Sequence, residues 1–196
     1  MEQIETPKPE KRQFLARIAD TVKAYWLDYV ILALTAGAIV FLDQWTKSWV
    51  RANVPVGSDY IPESLAWLEP FARIRHWHNT GTIFGLFKDA SMVFTVLAFV
   101  VIGLILFFYP QTPRKEWWLR VVLGIQLGGA IGNLTDRLMF GRVTDFISVG
   151  NFAIFNVADA SISVGAAILI LVIFLETRAE KKRLAALQEK EETTSE

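Results

Sequence analysis

Four apolar runs, at about residues 24–42, 92–109, 117–134 and 157–175, constrain this chain more than any other feature. Each is about 18–20 residues long, the length at which an α-helix crosses the hydrocarbon core of a bilayer. Packing four such helices inside a water-soluble chain of 196 residues would leave too little polar surface to cover them. Charge enters the runs only near their starts, at Asp28 in the first, Arg120 in the third and Asp159 in the fourth. The fold class expected is an all-α membrane protein of four transmembrane helices, with a small β part argued below.

Basic residues set the expected orientation. Thirteen of the twenty Lys and Arg fall in the N-terminal segment, the link between the second and third runs together with Arg120 just inside the third, and the C-terminal tail; the other seven, Lys47, Arg51, Arg73, Arg75, Lys88, Arg137 and Arg142, fall in the two remaining connections. Basic residues favour the cytoplasmic face. Both termini are therefore expected there, with residues 1–23 and 176–196 as charged tails. The last could simply extend the fourth helix. The connections at about 43–91 and 136–156 are expected outside. The first run ends Phe41-Leu42-Asp43-Gln44-Trp45, without a small-x-small cleavage pattern, so it reads as a retained anchor.

Twenty acidic residues balance the twenty basic ones, which leaves no electrostatic footprint for nucleic acid. The absence of cysteine excludes disulfides, thiolate metal sites and thiol nucleophiles. The two histidines, His76 and His78, could form half of a metal site, but no third ligand accompanies them, and a strand-surface role is the simpler reading. No metal or cofactor is expected. No serine stands near a histidine in a nucleophilic arrangement.

The outer connections carry more information than ordinary loops. From Phe71 to His78 the residues alternate, with Phe71, Arg73, Arg75 and Trp77 on one face of a strand and Ala72, Ile74, His76 and His78 on the other. With Trp67 nearby, this reads as an extra-membrane sheet at the level of the lipid headgroups. Asn79 and Gly81 follow in a segment that reads as a tight turn or loop. Gly124, Gly128 and Gly132 recur at four-residue spacing and allow close helix–helix contact. Beyond them, Asn133, Asp136 and Arg137 bring hydrogen-bonding groups to the outer boundary, and Asn133 shares a helix face with Arg137.

Gly150-Asn151 between two apolar-rich stretches is consistent with a hairpin turn that brings Asp145 near Asp159. Asn156, three residues before Asp159, is placed to cap the fourth helix and orient that carboxylate. Two readings of Asp159 stand side by side here: an ionisable functional residue near the membrane boundary, or an answer to Arg137 or to a helix N-terminus. Two close carboxylates in a partly desolvated site share one proton, which equips them for acid–base hydrolysis through water without metal or covalent intermediate. A non-enzymatic four-span carrier that binds a cation or amine would use the same aspartates. A presenilin-type protease would instead place its aspartates at mid-bilayer.

Five blocks occur in order: Asp43-Gln44-Trp45-Thr46-Lys47; Asn79-x-Gly81-x-x-Phe84-Gly85; Gly128-Gly129-Ala130-x-Gly132-Asn133-x-x-Asp136-Arg137; Val143-x-Asp145-Phe146; and Phe155-Asn156-x-Ala158-Asp159. The ordered set resembles the signature of the lipoprotein signal peptidase (signal peptidase II) family. That resemblance implies a bacterial inner-membrane aspartyl endopeptidase, inhibited by globomycin-type cyclic peptides. Its substrate would be a diacylated prolipoprotein held in the phospholipid bilayer and cut just before the lipidated cysteine. It implies a peptidase domain over residues 24–175, an extracytoplasmic β-cradle, a short periplasmic helix, and a site on the periplasmic side of what is expected to be a monomer. Carried across block by block, Asp145 and Asp159 match the catalytic pair. Asp43, Lys47, Asn79, Gly81, Asn133, Asp136, Arg137, Asn156 and Ala158 match positions that line or support the substrate site. Thr82 and Ile83 depart from the usual small residues, and Thr144 stands where valine is commoner, placed to hydrogen-bond Asp145.

Overall fold

The computed structural model describes residues 9–80 and 90–194. Gly81, Thr82 and Ile83 lie outside the described residues, as do the extreme ends of both expected tails. Along the chain come α1 (Pro9–Asn53), β1 (Asp59–Tyr60), a 3₁₀ turn (Glu63–Leu68), β2 (Ala72–Asn79), α2 (Ala90–Phe108), a second 3₁₀ turn (Tyr109–Gln111), α3 (Trp117–Phe140), β3 (Val143–Val149) and α4 (Val157–Thr194).

Small residues decide how the helices pack. The Gly124, Gly128 and Gly132 face of α3 lies directly on α1. A Cβ added at Gly128 would stand 2.6 Å from Ile39 Cβ and 2.7 Å from the Ala36 carbonyl oxygen. On another side of α3, a Cβ at Gly129 would stand 2.6 Å from the Ala158 carbonyl oxygen of α4. Backbones that approach this closely gain dispersion contact along their length, which drives helix association where lipid removes the hydrophobic incentive. With α2 on a further side, α3 is the central helix.

Among the described residues, three helices are long and apolar enough to cross a membrane: Asp28–Asn53, Ser91–Gln111 and Val157–Gln188. Their outward surfaces are apolar, with Met92, Val96, Phe99 and Phe107 exposed on α2 and Ile170, Ile173 and Phe174 on α4. The sequence led us to expect four spans. α3 has the length, at 24 residues, but its composition is diluted by Arg120, Asn133, Asp136 and Arg137. The first three of those are buried among the other helices rather than turned outward.

The first helix departs from expectation in a way that matters for the site. A span ending at Leu42 with an outer connection from Asp43 was expected, yet α1 continues through Asp43 and Lys47 to Asn53. Those two residues are one turn apart and pair with each other, so polar side chains that would mark a membrane exit are neutralised against protein and the helix does not stop. The end of α3 behaves similarly. Asp136 and Arg137 are not in a loop; the helix runs to Phe140 and stops at Gly141 in the left-handed conformation, φ +69°.

The alternation from Phe71 to His78 forms β2, the middle strand of an antiparallel sheet ordered β1-β2-β3. Ala72 opposes Val149 and Ile74 opposes Ile147, but Trp77 opposes Asp145. The register slips by one residue, so Phe146 faces both Arg75 and His76 in a β-bulge. The turn at Gly150, φ +51°, returns the chain so that Phe155 bridges Ile147, which gives the hairpin contact expected from Gly150-Asn151. His76 Nδ1 donates to the Val54 carbonyl at 2.6 Å and ties the sheet to the end of α1. At the opposite end of the bundle, Asp28 pairs with Arg114 at 3.0 Å and Arg120 at 2.9 Å, and Tyr109 Oη donates to the Asp28 carbonyl.

Gly128→Val should lower stability by ~1–3 kcal/mol through overpacking against α1. Gly37→Ala, where a Cβ meets nothing within 4 Å, should leave stability unchanged or raise it. Thermal unfolding of both variants in detergent checks the contrast.

Candidate active site

The end of the bundle next to the sheet holds a dense polar cluster. Lys47 and Asp43, both with 0% of the side chain exposed, form an ion pair at 2.8 Å, and Lys47 Nζ lies 3.5 Å from the fully buried Asp136. Isolated charges in such surroundings would cost several kcal/mol each, so the cluster persists because nearly every lone pair is met. Asp43 Oδ1 accepts from the Ala158 backbone N–H at 2.9 Å. Gln44 Nε2 donates to Asp43 Oδ2, the Gly132 carbonyl and Asp136 Oδ1. Gly132 makes room: a Cβ there would stand 2.6 Å from Asp43 Oδ2.

Lys47 also orders the next layer. Its Nζ donates to Asn133 Oδ1 at 3.0 Å, which also accepts from Asn156 Nδ2 at 3.1 Å. With its oxygen held by two donors, Asn133 must present its amide nitrogen the other way, and Nδ2 donates to Asp159 Oδ1 at 2.7 Å. Asn156 and Asp159 form a reciprocal cap at the start of α4. Asp159 N–H donates to Asn156 Oδ1 at 2.9 Å, and Asn156 N–H donates to Asp159 Oδ2 at 3.2 Å. Asn156 Nδ2 reaches Asp145 Oδ1 at 2.7 Å, while Asn79 Nδ2 donates to Asp145 Oδ2 at 2.9 Å. Both carboxylates are thus held by the same asparagine. Of the two readings left open for Asp159, the N-terminal cap is present, and the carboxylate also lines a cleft.

Asp145 is 1% exposed. Burial first, then the nearby Asp159 charge, push its carboxyl up to about 6, against the hydrogen bonds from Asn79 and Asn156 and the charge of Lys47. Asp159 is less buried and opens onto a cleft of about 360 Å³ between α2, α3 and α4. The polar end of the cleft is Asn79, Asn133, Arg137 and Asp159, and its apolar wall is Phe94, Leu97, Ala98, Val101, Ala130 and Ile162. Arg137 lies over the Phe94 ring at 5.5 Å.

Three sequence expectations need correction or extension. Asp136, expected as a hydrogen-bonding group at the outer boundary, is fully buried, faces Lys47 and Arg51 and accepts from the Thr144 backbone N–H. Thr144 does not bond Asp145, because successive strand residues point to opposite faces; its hydroxyl accepts from Arg51 Nη1 at 3.2 Å. Gln44 and Arg51 are members of the cluster that went unselected. Gln44 stands beside Asp43, and Arg51 lies one helical turn beyond Lys47, a spacing that would have flagged it had α1 been followed past Leu42.

Apolar helices and a carboxylate pair beside an apolar cleft define a membrane enzyme of the aspartic-peptidase class. The chain belongs to the signal peptidase (SPase) II family, whose model matches residues 35–175. A lipoprotein signal peptidase of Desulfitobacterium hafniense is 33% identical over 154 residues, covering 78% of this chain and 99% of that protein. One from Xanthomonas axonopodis pv. citri is 36% identical over 162 residues, covering 79% and 91%. A solved bacterial membrane enzyme, determined at 2.3 Å by the in meso method, aligns with a TM-score of 0.67 at 25% identity over 74% of this chain and 88% of its own.

Lys47→Met should destabilise the protein by ~3–5 kcal/mol, because it leaves buried carboxylates without a counter-charge. Adding Asp43→Asn should restore part of that loss, which paired unfolding curves of the single and double variants measure.

Proposed function

We propose that this chain removes signal peptides from diacylglyceryl-modified prolipoproteins, cutting just before the lipidated cysteine, with Asp145 and Asp159 as the catalytic pair. The observation that carries the reading is Asn156, whose side-chain amide holds Asp145 and whose backbone N–H holds Asp159 beside the apolar cleft. Asp43, Lys47, Asn79, Asn133, Asp136, Arg137, Asn156 and Ala158 support the pair or line the substrate path, and Gly81 joins them on the family pattern.

With one proton between them, the two carboxyls have complementary tasks. The ionised one takes a proton from a water as its oxygen attacks the scissile carbonyl carbon. The protonated one gives its proton to the carbonyl oxygen. The tetrahedral adduct then collapses as the carbon–nitrogen bond breaks, a proton passes to the departing amine, and a new carboxyl group remains on the signal peptide. Arg137 and the asparagines supply donors at the mouth of the site. The wall of Phe94, Leu97 and Val101 suits the acyl chains or the apolar signal segment.

The same reading places α3 across the membrane as a fourth span, with Arg120, Asn133 and Asp136 paired to other elements of the bundle. It puts both termini on the cytoplasmic side of a bacterial inner membrane, and the sheet and carboxylates on the periplasmic side. The supporting feature is the excess of Lys and Arg in the tails and the α2–α3 link. Residues 24–175 act as one monomeric peptidase unit, and residues 1–23 and 176–196 as tails.

Asp145→Asn and Asp159→Asn should each cut cleavage of a diacylated precursor on the order of 10⁴-fold while the protein still inserts. Turnover near the wild-type rate in either variant, read from released signal peptide, removes the assignment. Each buried methylene of the lipid contributes about 0.8 kcal/mol to anchoring, so an unlipidated precursor should be cleaved far more slowly under matched conditions.

The active form carries one proton, and Asp145 titrates near 6. Raising the pH above that value removes the proton, so kcat/KM should fall by about tenfold per pH unit on the alkaline side. Asn79→Ala removes a bond that favours the carboxylate form of Asp145. It should move that alkaline limb to higher pH.

A further inference from the structure

Thr144 and Asp145 are neighbours on β3 with side chains on opposite faces, and the face away from Asp145 is held tightly. Thr144 is 2% exposed. Its backbone N–H donates to Asp136 Oδ2 at 2.9 Å, and its hydroxyl accepts from Arg51 Nη1 at 3.2 Å. Arg51 stands in the last turn of α1 and spans three elements. Its Nη1 lies 3.4 Å from Asp136 Oδ1 of α3, its Nη2 donates to Ser48 Oγ at 3.0 Å, and its guanidinium sits 4.8 Å from the centre of the Phe140 ring. The chain enters β3 through the exposed Gly141 and Arg142, so Thr144 is held by α1 and α3 just before Asp145.

Charge neutralisation alone does not explain this arrangement. Lys47 and Gln44 already serve Asp136, and a hydroxyl needs no counter-ion. The planar fork of an arginine can meet a carboxylate and a hydroxyl together, which the single ammonium of lysine does less well.

We infer that Arg51 is a positioning residue which, through the Thr144 hydroxyl, sets where β3 holds Asp145 against Asp159. This rests on the reading of those two aspartates as the catalytic pair. Losing the clamp lets the start of β3 move and water enter beside Asp145, so the pair shares its proton less well. The charged or titratable groups around Asp145 are Asp159 on α4, Lys47 on α1 and Arg137 on α3, while His78 on β2 is the cross-strand partner of Thr144 on the other face and Trp77 is that of Asp145. Removing the Arg51 charge by itself would raise the proton affinity of nearby carboxyls. Moving Asp145 away from Asp159 and toward water lowers its proton affinity. The direction of the shift therefore separates positioning from simple charge.

The test measures kcat, KM, the pH profile and the unfolding temperature of full-length protein on a diacylated precursor, for Arg51→Met, Thr144→Val, their double variant and Thr144→Ser. Displacement of a reacting group by a fraction of an ångström to 1 Å should lower kcat roughly ten- to hundredfold in Arg51→Met and in Thr144→Val. KM should stay within about twofold, the signature of an interaction realised in the transition state. The alkaline limb should move to lower pH in both variants, the double variant should lose no more than the worse single one, and Thr144→Ser should recover wild-type kcat. Wild-type kcat and pH profile in Thr144→Val overturn the proposal, as does an upward limb shift in Arg51→Met with Thr144→Val silent. If Arg51→Met does not fold, the Val and Ser variants at Thr144 decide between the same outcomes. Asp145→Asn run alongside keeps the two readings apart: cleavage by that variant removes the catalytic pair itself, whereas its inactivity with a silent Thr144→Val removes only the clamp.

Discussion

An ammonium group with no exposed surface sits where α1 and α3 meet, and two carboxylates, Asp43 and Asp136, face it. In an apolar interior none of these charges is tolerable alone, so each fixes the others in place. Asp43 reaches α4 through the Ala158 N–H, and Asp136 reaches β3 through the Thr144 N–H. One ionic knot thus joins α1, α3, α4 and the sheet. It also explains why the glycine stripe of α3 extends to Gly132: a side chain there would occupy the space of an Asp43 oxygen.

The knot also supplies chemical definition. An asparagine amide can turn either way until its partners decide. Lys47 decides for Asn133, Asn133 then aims a donor at Asp159, and Asn156 completes the ring to Asp145. A buried lysine therefore acts at one remove on carboxylates it does not touch, through the rigidity of hydrogen-bonded amides rather than through direct pairing. Preorganised dipoles of this kind require no rearrangement when charge moves.

Much of this was legible in the sequence because several patterns depend on local geometry alone. The alternation from Phe71 to His78 carries its strand period openly, the spacing of Gly124, Gly128 and Gly132 states a helix face, and Asn156 and Asp159 stand at capping distance. The continuation of α1 was not legible. Asp43 and Lys47 look like a membrane exit until Asp136, more than eighty residues away in sequence, is seen to share their burial. Arg51 was not legible for the same reason, and the adjacency of Thr144 to Asp145 conceals that the two side chains leave β3 on opposite faces. The apolar cleft wall was hidden as well, since nothing in a uniformly apolar α2 distinguishes Phe94 and Leu97 from residues that face lipid. Composition alone would also demote α3, whose Arg120, Asn133 and Asp136 find their partners only on neighbouring elements of the bundle.

α1 and α3 are fastened to each other at two levels, by the lysine knot at one and by Asp28 with Arg114 and Arg120 at the other. α2 is held differently. Among the described residues, its polar ties sit near its ends, where Ser91 Oγ donates to the Gly141 carbonyl and Tyr109, just past the helix, donates to the Asp28 carbonyl. Between them α2 offers α3 mainly hydrocarbon side chains, the Thr95 hydroxyl being turned back onto the Ser91 carbonyl of its own helix, and fatty acyl tails replace such contacts nearly in kind. The molecule consequently has a stiff frame and one zip-like seam, and parting that seam breaks no hydrogen bond along its middle. A tethered guest drifting sideways in the leaflet would meet its least resistance there.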